Sequence, residues 1–108
     1  MATRALVYLP PTLRAGEPFE VRVTLQHPME TGFRPNENGS LLPRNIATRF
    51  EARIDGQLAF AADLYPAIAA NPYLAFWLRT ERNGTLDCQW WGDHGLAHTE
   101  RRPLVLAG

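Results

Sequence analysis

Phe19-Glu20-Val21-Arg22-Val23-Thr24-Leu25-Gln26 alternates apolar and polar residues without a fault. Side chains in a strand point to opposite faces with a period of two, so Phe19, Val21, Val23 and Leu25 share one face and Glu20, Arg22, Thr24 and Gln26 the other. The segment therefore predicts a strand with one buried face. Arg49 to Ile54 repeats the pattern, with Phe50, Ala52 and Ile54 inward and Arg49, Glu51 and Arg53 outward. Asp55-Gly56 then supplies the positive φ angles of a two-residue hairpin, and Leu58 to Ala62 returns as the next strand.

Working outward, Ala5 to Leu9 reads as an N-terminal strand stopped by Pro10-Pro11, because proline cannot donate to a ladder. Tyr73 to Thr80, Thr85 to Trp91 and Leu96 to Val105 read as three more, separated by Asn83-Gly84 and by Gly92-Asp93-His94-Gly95. Pro103 places the last strand at a sheet edge. About seven short antiparallel strands and no convincing helix predict an all-β, immunoglobulin-like sandwich. Leu86 stands where such domains usually carry a tyrosine, and the Phe19 to Gln26 strand offers no cysteine to pair with Cys88. Two stretches break the pattern: His27 to Ile46, carrying three prolines and two glycines, and Leu64 to Pro72. Long irregular loops within a compact domain are often functional.

The chain has 108 residues, which suits a single domain spanning 1–108. Its 11 basic and 11 acidic residues cancel, so nothing marks a nucleic-acid or anionic-membrane surface. All the basic residues are arginine, a residue suited to bidentate pairing. No apolar run approaches the ~20 residues of a membrane-spanning helix. Met1 to Pro10 lacks the features of a signal peptide, which taken alone predicts a cytoplasmic protein.

Catalytic and metal chemistry are not expected. His27, His94 and His98, with Cys88 and Asp93, make up no recognised metal-binding motif, so no metal or cofactor is predicted. Cys88 shares its strand phase with Leu86 and Trp90, which makes it an inert core thiol; the alternative is that Cys88 is itself a sulfur-binding or redox group. Tyr73-Leu74-Ala75-Phe76-Trp77-Leu78 is apolar on both faces. Leu74, Phe76 and Leu78 suit the core, which leaves Tyr73, Ala75 and Trp77 outward. Trp91, in opposite phase to Trp90, also points out. Outward Tyr73, Trp77 and Trp91 predict a face that binds a partner protein, since Trp and Tyr are enriched in interface hot spots.

Several motifs together resemble the SoxZ family, one subunit of the SoxYZ carrier of bacterial sulfur oxidation. They are His27-Pro28-Met29-Glu30-Thr31-Gly32, Ile46 to Glu51, Ala62 to Tyr73 with its Ala70-Asn71-Pro72-Tyr73, and Gly84-Thr85-Leu86 leading into Trp90 and Gly95. The resemblance runs from about Ala15 to Glu100. It implies an immunoglobulin-like sandwich and a non-catalytic role in a heterodimer with SoxY. The SoxY cysteine, on a flexible C-terminal arm, carries covalent sulfur intermediates of thiosulfate oxidation. Pro103 to Gly108 has neither cysteine nor glycine repeat, so this chain is not the SoxY partner. The resemblance further implies a periplasmic protein exported with its partner. His27, Met29, Glu30, Arg34 and Asn71 become candidate partner contacts, with His27, Glu30 and Arg34 the polar groups for an anionic sulfur adduct. A generic interaction domain in a SoxYZ-like system linked to quinoprotein dehydrogenases is the other reading.

Overall fold

The computed structural model describes residues 4–26, 29–30, 32–35, 37–65 and 72–107. Seven strands form within them: β1 Arg4–Tyr8, β2 Phe19–Gln26, β3 Ala47–Ile54, β4 Gln57–Asp63, β5 Tyr73–Leu78, β6 Gly84–Gly92 and β7 Ala97–Leu104. They build two antiparallel sheets, β1-β2-β5 and β4-β3-β6-β7, which together make the expected all-β sandwich. The fourth strand stays with the third instead of joining β5, giving a three-on-four arrangement.

The core follows from strand phase. Val21 and Val23 from β2, Phe50 and Ala52 from β3, and Leu86, Cys88 and Trp90 from β6 are all essentially inaccessible. Phe50 sits at its centre, with ring centroids 5.0 Å from Trp90 and 5.6 Å from Phe76. Tilted aromatic pairs at such distances add to the stabilisation from burial alone. Asp55 and Gly56 have φ angles of 50° and 83°, the two left-handed residues the hairpin demands. Gly92 serves a different need. A Cβ there would collide with the Ile46 carbonyl and Ala47 Cα, where β3 enters its sheet through a register shift.

Connectivity separates the two ends. The 55–56 turn and the 79–83 connection lie at one, while the 93–96 turn and the described parts of 27–46 and 64–72 lie at the other. The stretch 27–46, expected to be irregular, differs in its described part: it is an antiparallel ribbon. Glu30 and Asn45 exchange both main-chain hydrogen bonds (2.8 and 2.6 Å), and Leu42 N donates to Arg34 O at 2.8 Å. Pro35 bridges Leu41, and Gly39 at φ 81° turns the tip. Backbone pairing satisfies polar groups that a bare loop would leave to water. Strands of eight or nine residues span only about 27–30 Å. The 61 Å long axis of the molecule fits a ribbon that runs off the sandwich end.

Candidate docking face and loop end

The outer face of the β1-β2-β5 sheet carries an apolar patch bordered by Arg4, Glu20 and Gln26. Cross-strand register lines up Leu6, Thr24 and Tyr73 in one row and Tyr8, Arg22 and Ala75 in the next, with Trp77 opposite Glu20 beyond them. Leu6 and Tyr8 are each 53% exposed, Tyr73 52% and Trp77 65%. A shallow groove of about 270 Å³ runs among Leu6, Tyr8, Arg22, Thr24 and Tyr73. Arg22 lies within it, hydrogen-bonded to Glu20 Oε1 at 2.7 Å and 5.6 Å from the centre of the Tyr8 ring. The central cation is thus held by its own sheet, and its stem extends the apolar surface.

The opposite outer face has the reverse character. On β3-β4-β6-β7, Arg49 pairs with Asp63 at 2.9 Å and with Glu51 at 3.2 Å, Arg53 with Glu51 at 2.8 Å, and Arg101 with Asp87 at 2.8 Å. The Arg53 and Arg49 hydrogen bonds hold the Glu51 carboxyl below the usual carboxylate range. Such partly exposed pairs contribute little to stability, but covering them strips hydration from many charges at once.

Trp91 belongs to this charged face, opposite Arg49 on β3 and Ala97 on β7, and is half-buried. It therefore does not join Tyr73 and Trp77, as its outward phase had suggested. Phase fixes in or out; it does not say which sheet. Conversely, Leu6 and Tyr8 complete the apolar face and were missed, because Arg4 to Tyr8 alternates too briefly to show which side carries a partner surface.

The ribbon base is clamped at the loop end. Arg44 donates through Nε and Nη2 to the two Asp93 carboxylate oxygens at 2.8 and 2.9 Å, and Ile46 N donates to Asp93 Oδ2 at 3.2 Å. These donors depress the Asp93 pKa, Arg44 foremost. His94, left-handed at φ 56°, contacts the Arg44 carbonyl through Nε2 at 2.9 Å. Further along, Arg34 pairs with Glu30 at 2.6 Å, so these two candidates meet each other. Met29 packs against the core. His27 and Asn71 lie outside the described residues. Near the ribbon tip Phe33 and Leu41 are strongly exposed.

Cys88 and the remaining histidine behave differently from a reactive pair. Cys88 is fully buried, and burial pushes its thiol up to about 12. That counts against a carrier role of its own, since the thiolate is the nucleophile. His98 is half-buried in β7, bonded to Glu100 Oε1 at 2.9 Å and near Trp90. No cluster that could hold a metal ion occurs among the described residues. A larger cleft of about 550 Å³ lies at the tight-turn end, but its rim mixes Asp55 and Glu81 with Arg79 and Arg82, without one sign of charge to select a ligand.

The fold has solved relatives in shape. Superoxide reductase (neelaredoxin) from Ignicoccus hospitalis superposes with a TM-score of 0.71 at 19% identity, covering 97% of this chain and 82% of that one. A substituted form of the same protein gives 0.71 at 19% identity, with 95% and 79% covered. At that identity the likeness concerns the sandwich alone. No curated protein matches the sequence. The family described as "Sulphur oxidation protein SoxZ" matches residues 8–102, nearly the whole length, and the chain belongs to the SoxZ family.

Proposed function

We propose that this sulfur-oxidation subunit is the non-catalytic half of a SoxYZ-type carrier, and that it docks a SoxY-like chain through the outer face of β1-β2-β5. The partner's cysteine arm carries the covalent sulfur intermediates of thiosulfate or sulfur oxidation, and this chain supplies the surface that holds the heterodimer. The observation that carries the reading is the contrast between the two faces. Leu6, Tyr8, Tyr73 and Trp77 stand exposed on one, whereas the other is laced with mutually paired charges. Aromatic anchors around an apolar groove whose cation, Arg22, is already paired with Glu20 are what a desolvated interface core requires.

The ribbon has a separate part in this scheme. Glu30 and Arg34 lie at the end where the loops gather, and shelter the partner's thiol-bearing arm. The complex works in the periplasm, exported with its partner. Co-expression with a SoxY-like chain tests the proposal: a stoichiometric complex is expected, and a product that stays monomeric beside that chain refutes it. Substitution of Glu30 or Arg34 is expected to lower thiosulfate turnover in the reconstituted system while leaving the heterodimer intact.

A further inference from the structure

Each sheet has two edges, and an edge strand presents a row of unpaired N–H and C=O groups that invites another strand. Three of the four edges here carry a recognised defence. The five-residue β1 opens on Arg4 and is followed by Pro10-Pro11. β4 breaks register opposite Ala52 and Arg53. β7 carries Glu100, Arg101, Arg102 and Pro103. β5 has none of these. Its six residues, Tyr73-Leu74-Ala75-Phe76-Trp77-Leu78, include no charge and no proline, its pairing with β2 runs without a shift, and among the described strands it pairs with β2 alone.

We propose that the free edge of β5 is a strand-addition site, where an extended segment from another subunit of the sulfur-oxidation complex pairs with it and continues the β1-β2-β5 sheet. The idea rests on the docking reading above and specifies how docking is made. The edge is continuous with the apolar face, because Tyr73 and Trp77 belong to both. Its chemistry also dictates the occupant. Beside β5 the core is closed by Phe60 of β4 stacked on Phe76, with centroids 4.4 Å apart and rings 1° from parallel. Residues of an added strand that point inward fall next to Phe76 and Leu78, so they must be apolar. On the outer side Ala75 leaves a gap between Tyr73 and Trp77, which a large side chain opposite it fills. The occupant is therefore an extended segment of about six residues, apolar at alternate positions, held by main-chain hydrogen bonds along its whole length.

Residue-resolved amide hydrogen exchange, on the chain alone and on its complex with a co-expressed SoxY-like subunit, tests this. In the free chain, alternate β5 amides, those directed away from β2, exchange freely. In the complex the same amides gain protection on the order of a hundredfold. Unchanged exchange at these amides in a complex that Trp77→Ala still weakens overturns strand addition and leaves face docking standing. Failure to form any complex overturns both. Protection already present in the free chain, with a dimeric mass by light scattering, assigns the edge to a second copy and also refutes the proposal.

Discussion

Trp77→Ala separates folding from docking. The side chain projects from an edge strand and is 65% exposed, with only Glu20 opposite it. Its removal leaves the core untouched, so the free chain should melt within about 0.5 kcal/mol of the parent, as surface substitutions do. Binding is another matter. A tryptophan buries roughly 150–250 Å² when enclosed. Covering the 65% now open removes roughly 100–160 Å² from water, worth about 2.5–4 kcal/mol at about 25 cal/mol/Å². Alanine keeps Cβ and neighbouring groups relax, so about 2–3 kcal/mol should be lost, a roughly 30- to 150-fold rise in Kd for the SoxY-like subunit. Calorimetric titration of the two purified chains measures it, with thermal unfolding of the free variant as control. Trp91→Ala gives the opposite signature, with lower stability and unchanged binding. Binding kept within about threefold in Trp77→Ala, together with a large loss in Trp91→Ala, would refute the assignment of the docking face.

Cys88, buried and with its thiol pushed up to about 12, should resist a thiol reagent at pH 8 in the native protein and react fully in denaturant; complete native labelling within minutes would return it to the candidate carriers. Asp93 is held below the ordinary carboxylate value of about 3.9 by Arg44 and Ile46 N, so its contribution to stability is full above that pH and is lost as pH falls through the lower native value. Asp93→Asn should flatten that acid limb and speed amide exchange at the ribbon base; an unchanged acid profile contradicts the clamp. Gly92→Ala forces β3 and β6 apart at the Ile46 carbonyl and should cost about 1–3 kcal/mol, visible as a fall in Tm of several degrees. A variant that melts with the parent would mean the register shift absorbs the methyl group.

Most of the fold was legible because one-sided burial writes itself as alternation. Phe19 to Gln26 forms a strand over its full length, and Leu86, Cys88 and Trp90 share the buried phase assigned to them. The hairpin at Asp55-Gly56 was equally plain, since few dipeptides tolerate two positive φ angles. The site was legible only in part. Tyr73 and Trp77 stand out as expected, but their neighbours Leu6 and Tyr8 come from a strand nearly seventy residues earlier, brought alongside by β2. Trp91 shows the converse, an outward residue that lies on the other sheet from Tyr73 and Trp77. The ribbon was hidden because its pairings, Glu30 with Asn45 and Pro35 with Leu41, lie among prolines and glycines that read as loop.

The burial of Cys88 has a further meaning for a carrier assembled from two chains. Thiol–disulfide exchange begins with a thiolate that can reach the sulfur it attacks. A second accessible thiolate attacking the cysteine sulfur of a persulfide- or thiosulfonate-bearing arm would form a mixed disulfide and break the bond to the cargo, expelling it as hydrosulfide or thiosulfate. Cys88 is fully buried between Leu86 and Trp90 on β6 and opposite Ala52 of β3, and its thiol is pushed up to about 12, so it stays protonated and out of reach at neutral pH. In the proposed heterodimer, the subunit would thus sit against its partner's reactive arm without competing for what the arm transports.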